Sequence, residues 1–117
     1  METTSKILDL SFDFSIKIIG LYKELIKRNE YVLSKQLLRC ATSIGANVEE
    51  AIGGASRKDF INKMQIAYKE ARETKYWLRL LNEGELIDKK LAESFLKDCE
   101  EILKILTAIL NSSKVSA

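Results

Sequence analysis

Residues 60–81 read FINKMQIAYKEARETKYWLRLL. Phe60, Met64, Ala67, Ala71, Thr74, Leu78 and Leu81 follow one another in steps of three and four, the spacing that stacks side chains along one face of an α-helix. Lys, Arg, Glu and Gln fill the positions between, as on a helix with one solvated face. No strand alternation competes with this period, so the run predicts a long amphipathic helix.

Working outward, the same period recurs on both sides. Upstream, Leu33, Leu37, Ala41, Ile44, Val48 and Ala51 form a second stripe, and Ile7, Leu10, Phe14, Ile18, Leu21 and Leu25 a third. Downstream, Ile87, Leu91, Phe95, Cys99, Ile102, Leu106 and Ile109 form a fourth. The breaks carry stop and start chemistry. Asn29 and Gly53-Gly54 are expected to end their helices in the left-handed conformation. Ser56 with Asp59 three residues on resembles a capping box, Gly84 closes the third segment, and Asp88 is the expected N-cap of the fourth. The polar tail NSSKVSA is expected to fray. The expected helices span about residues 4–28, 32–53, 57–83 and 88–112. At roughly 25 residues each they are about 37 Å long, and such short connections turn neighbours antiparallel. The fold expected is one all-α domain over residues 1–117: an antiparallel, up-down-up-down four-helix bundle.

Composition agrees. The 117-residue chain has no proline, the residue that helix interiors exclude most strongly, and its 46% hydrophobic and 31% charged residues suit a soluble helical protein. Nineteen basic against 17 acidic residues give a net charge of +2, so only the distribution of charge bears on a nucleic-acid partner. The N-terminal METTSKILDLSFDFSIKIIG carries acids among its apolar residues and lacks a signal-peptide pattern. No run approaches the ~20 apolar residues of a membrane span. A cytoplasmic location without membrane contact is expected.

Catalysis has little to work with. The chain has no histidine, which removes the commonest general base and metal ligand and the Glu-x-x-His pairs of di-iron bundles. Cys40 and Cys99 lack close metal-ligating companions and read as small core residues. Gly53-Gly54 follows a helix instead of a strand, so it is no phosphate loop. Glu49, Glu50, Glu70 and Glu73 are the available acids, and they read as partners of nearby bases. Neither enzymatic activity nor a cofactor or metal is expected.

What the sequence offers instead is binding surface. Arg72, Lys75 and Arg79 fall on one helix face, Lys35 and Arg39 stand four apart on the second helix, and Arg57 and Lys58 occupy the turn. These seven are the candidate contacts for a phosphate backbone. Tyr76 and Trp77 point about 100° apart, so one is expected inside and the other toward a partner or solvent. The first helix carries a second apolar row, Leu8, Phe12, Ile16, Ile19, Tyr22 and Ile26, more than one stripe requires. That excess predicts association with further copies. Gly45 costs a helix interior roughly 1 kcal/mol relative to alanine. With Ala41, Ser43, Asn47 and Trp77 it marks an expected close approach of helices or subunits. Thr42 and Ser43 are expected to bond back to the preceding turn, and Asn47 to make a polar contact between helices.

The ordered pattern Gln36-Leu37-x-Arg39, Thr42-Ser43-Ile44-x-x-Asn47, Ser56-x-x-Asp59-Phe60, Ile66-Ala67 and Glu70-Ala71 resembles the four-helix-bundle family named for the 23S rRNA intervening sequence. The match runs from Tyr31 to Leu81; the first and last helices agree in length and period. The resemblance implies a protomer that assembles into a homopentameric ring. More distantly the chain is similar to the accessory protein of diversity-generating retroelements, a positively charged pentameric barrel that binds nucleic acid and a reverse transcriptase. No residue here falls in a catalytic motif of either. Two functions follow as expectations: a non-enzymatic oligomer that binds structured RNA, rRNA included, or other nucleic acid, and alternatively a scaffold whose ring docks a partner protein.

Overall fold

The computed structural model describes residues 2–115. Four helices account for nearly all of them: α1 (Glu2–Lys27), α2 (Val32–Ile52), α3 (Arg57–Glu83) and α4 (Lys89–Val115), with no strand among the described residues. Each helix packs on its chain neighbours, α4 also closes on α1, and the diagonal pairs do not meet. This is a four-helix bundle, 47 × 21 × 19 Å. Across the α2/α3 seam, Glu50 pairs with Lys63 and Arg39 with Glu73, so numbers rise on one helix as they fall on the other.

The expected stripes form the core. Phe14, Ile18, Leu37, Ile44, Met64, Leu78, Ile102 and Leu106 are buried to 2% exposure or less. Leu10, Leu33 and Phe60 are half-buried against that core, and Leu91 is displaced to the surface at 42% exposure. The second row of α1 divides. Leu8, Tyr22 and Ile26 are half-buried, whereas Phe12, Ile16 and Ile19 are 61%, 55% and 38% exposed.

The helix ends follow the sequence in part. Asn29 has φ 65° and closes α1 as expected. The start of α2 has an unforeseen cap. The Glu30 carboxylate accepts from the backbone N–H groups of Val32, Leu33 and Ser34, at 3.2, 3.1 and 2.6 Å, and the Ser34 hydroxyl donates to the Glu30 carbonyl. Three orphan donors and the positive end of the helix dipole meet one carboxylate. Gly53-Gly54 differs from expectation: Gly53 has φ −85°, and no glycine adopts positive φ. The chain leaves α2 through one 5→1 and one 4→1 bond instead, Gly53 N–H donating to the Glu49 carbonyl at 3.2 Å and Gly54 N–H to the Ala51 carbonyl at 3.1 Å. Ser56 caps α3 by accepting from Asp59 N–H at 3.1 Å. At Gly84 the need is space, since a Cβ there would stand 2.8 Å from the Leu80 carbonyl oxygen; the left-handed residue is Glu85, φ 58°. Asp88 accepts from Lys90 and Leu91 N–H and caps α4. α4 continues through Val115, past residue 112, with the Ser113 hydroxyl donating to the Ile109 carbonyl in its last turns. The remainder of the expected fraying tail, residues 116–117, lies outside the described residues.

Candidate nucleic-acid interface

The seven expected basic contacts do not gather in one place. Arg39 lies on the α2/α3 seam, where its guanidinium reaches Glu70 at 3.3 Å and Glu73 at closer range. Lys75 lies on the other flank of α3 and pairs with Glu100 of α4 at 2.5 Å. Arg72 and Arg79, three and four residues from Lys75, share that flank and are exposed. Lys35 is exposed on α2. Arg57 and Lys58 sit at the start of α3, roughly 30 Å along the helix from Arg79, and the Arg57 guanidinium donates to the Ser113 carbonyl at 2.9 Å.

On the α2/α3 flank the charges are spent on one another. The Trp77 indole N–H donates to the Glu73 carboxylate at 3.0 Å, and that bond, followed by Arg39, holds Glu73 below its ordinary pKa. Arg39 in turn is raised by its bond to Glu73. Trp77 is half-buried against the core and Tyr76 is 53% exposed, their rings edge-on at 5.2 Å. One aromatic is inward and one outward, as the 100° step requires.

Small residues also occur along the inward positions of α2. Ala41 is fully buried, and Gly45 stands against Ser11 of α1, where a Cβ would lie 3.5 Å from the Ser11 carbonyl oxygen. Thr42 bonds back to the Leu38 carbonyl at 2.7 Å; among the described residues Ser43 makes no such bond through its hydroxyl. Asn47 departs from the inter-helix contact expected of it. Its amide donates to the Ser43 carbonyl of its own helix, one turn back, at 2.8 Å. Cys40 and Cys99 are both buried. Thr74 donates to the Cys40 sulfur at 3.2 Å, and burial pushes the thiols up to about 11 and about 12 respectively. Among the described residues no three His, Cys, Asp or Glu side chains are placed to hold a metal.

The α3/α4 flank is built differently. Arg72 and Lys75 line a groove of about 710 Å³ together with Lys97 and Lys104 of α4, Lys6 of α1 and the half-buried ring of Tyr68. Of its acids, Glu100 is held by Lys75 and Asp98 by Lys17. Arg72, Lys97, Lys104 and Lys6 have no ion-pair partner among the described residues, against one unpaired carboxylate, Glu101. The sequence reading found Arg72 and Lys75 but missed the other groove residues. Lys97 and Lys104 are seven apart, two turns of one helix face, and that spacing was the available signal. Nothing local to Lys6 or Tyr68 marks them.

An all-α four-helix bundle with one cationic groove is the class these features define. The family described as 23S rRNA-intervening sequence protein matches residues 3–108, and the chain belongs to it. A crystal structure of a protein with unknown function from the S23 ribosomal protein family of Bacteroides thetaiotaomicron VPI-5482 is similar throughout. It is 47% identical, with a TM-score of 0.91, over 93% of this chain and 98% of that one. No curated protein matches the chain. No helix among the described residues is long and apolar enough to cross a membrane.

Proposed function

We propose that this protein is a non-enzymatic, cytoplasmic bundle whose helices run up-down-up-down and antiparallel, whose copies form a ring, and which binds structured RNA or another nucleic acid through the α3/α4 groove. The topology is supported by the falling partner numbers across α2/α3 and by the short connections. The ring is supported by the family resemblance, which implies a pentamer, and by the exposed row Phe12, Ile16 and Ile19. The observation that carries the binding reading is the groove's surplus of unpaired cations, Arg72, Lys97, Lys104 and Lys6, beside one unpaired carboxylate. Unpaired bases attract phosphate oxygens, a ring multiplies their number, and Tyr68 supplies a face for stacking.

The test is filter binding of structured rRNA fragments over a series of salt concentrations. Affinity should fall steeply with salt, and Arg72→Ala with Lys104→Ala should weaken binding and flatten the log–log salt slope by about two. Absence of binding at low salt, or affinity indifferent to salt, overturns the reading in favour of a protein-docking scaffold. That second reading draws on Tyr31 and Val32, 58% and 71% exposed beside the α1–α2 turn.

A further inference from the structure

The groove over α3 and α4 has a single aromatic ring among its lining residues, Tyr68, and cations stand around it. Arg72 lies one turn further along the same face of α3. Two contacts set the level of α4: the Cys99 thiol donates to the Ala71 carbonyl at 3.4 Å, and the Arg57 guanidinium donates to the Ser113 carbonyl at 2.9 Å. Stepping from these, Lys104 comes level with Tyr68 and Lys97 with Arg72, each to within about one turn. Lys6 reaches the groove from α1. Glu101 falls between the levels of Tyr68 and Arg72 and forms no ion pair among the described residues. Cations still lead, since five of them line the groove against three carboxylates, Asp98, Glu100 and Glu101.

Cations alone do not tell one nucleic acid from another, because every form carries the same phosphates. The ring does. In a duplex each base is covered on both faces by its neighbours, and the phosphates line the outside. Packed helices with axes about 8–10 Å apart leave a furrow between them, which a single strand enters and a duplex only straddles. A base freed from pairing has a bare face to lay on an aromatic side chain, and the phosphates on either side of it then reach Arg72 and Lys104. Ring and cation alternating along one furrow match base and phosphate alternating along one strand. A groove of about 710 Å³ holds about one or two nucleotides.

We infer that the groove takes unpaired nucleotides, one base stacked on the Tyr68 ring and its flanking phosphates held by Arg72 and Lys104. The inference rests on the nucleic-acid reading above and narrows the ligand to single-stranded segments, whether free or in the loops of a folded RNA. Neither the stack nor the phosphate contacts involve the 2′-hydroxyl, so RNA and DNA strands bind alike.

Fluorescence anisotropy at one low salt concentration tests this with the full chain and three probes: an unstructured uridine oligomer, the matching deoxyuridine oligomer and a blunt RNA duplex of equal length. The uridine oligomer should bind about tenfold tighter than the duplex, although the duplex carries about twice the phosphates. The deoxyuridine oligomer should match it to within about fivefold. Tyr68→Phe should keep the margin over duplex. Tyr68→Leu retains apolar contact with the core and loses the ring; it should abolish the margin and leave duplex affinity unchanged, which a folding defect does not do. If none of the three probes binds, the nucleic-acid reading itself is overturned. A duplex bound as tightly as the single strand overturns the stacking contact and leaves that reading standing. So does a margin that survives Tyr68→Leu, or a loss that Tyr68→Leu inflicts on both probes alike. A preference beyond about fivefold between the two oligomers would mean that the sugar is read, and it overturns recognition by stack and phosphate alone.

Discussion

Between α2 and α3, Arg39 reaches two carboxylates and the Trp77 indole fixes one of them. Between α1 and α4, one exposed pair, Lys17 with Asp98 at 3.2 Å, spans a seam with two openings of about 350 Å³ each. Side-chain size accounts for the difference. The α2/α3 seam closes on small groups such as Cys40 against Thr74 at 3.2 Å, which let the helices approach. The α1/α4 seam is propped by Phe14 against Phe95, ring centroids 6.2 Å apart and edge-on, and at Gly20 no atom lies within 4 Å of the place a Cβ would occupy. One bundle thus has a tight seam in its central hairpin and a loose one where its terminal helices meet.

The largest test of that contrast is truncation on either side of it. Leu78→Ala, fully buried on α3, should cost about 2–5 kcal/mol in urea denaturation, whereas Leu91→Ala at the rim of the α1/α4 opening should cost less than about 1 kcal/mol. Equal costs would erase the distinction between seams. Next, a double-mutant cycle on Phe14 and Phe95 should return a coupling of about 0.5–1.5 kcal/mol, which would make the ring pair the main specific link across the loose seam. Gly45→Ala should stabilise by up to about 1 kcal/mol, because the Cβ meets Ser11 at ordinary contact distance and the helix gains propensity. A lowered thermal midpoint would mean α1 and α2 cannot accommodate the methyl.

The smallest expected effects concern charge. Glu73 is held below its ordinary value of 4.5 by Trp77 and then Arg39. Its contribution is therefore complete above that value and disappears as pH falls through the lowered one. Wild type should lose more stability than Glu73→Gln as acid is added, and parallel pH profiles would dismiss the cluster as a stabilising device. On the loose seam, Lys17→Ala should shift stability by less than about 0.5 kcal/mol, as exposed pairs do.

How much of this was legible in the sequence depends on whether a feature is local. The three–four stripes, the Ser56 and Asp88 caps and the split between Tyr76 and Trp77 are set within one helix, so spacing revealed them. The Glu30 cap is equally local but escaped notice, because the capping carboxylate stands two residues before the helix begins. Cross-helix relations were hidden. Whether Arg39 meets acids or solvent, and whether Lys97 and Lys104 share a groove with Arg72, depends on how each helix is rotated about its own axis. A single chain read along its length does not display that angle. Asn47 is the converse case: its spacing reads as an inter-helix contact, and the bond its amide makes is to the Ser43 carbonyl one turn back on its own helix.

The three connections, residues 28–31, 53–56 and 84–88, have a consequence for time as well as shape. Each joins helices that pack on one another, so the contacts that hold the bundle are formed by segments adjacent in the chain. Such topology places refolding in the microsecond-to-millisecond range. With no proline anywhere in the chain, the slow isomerisation phase that delays many proteins has no source. A stopped-flow trace should show one fast phase per protomer, leaving any slower, concentration-dependent phase to report the meeting of copies.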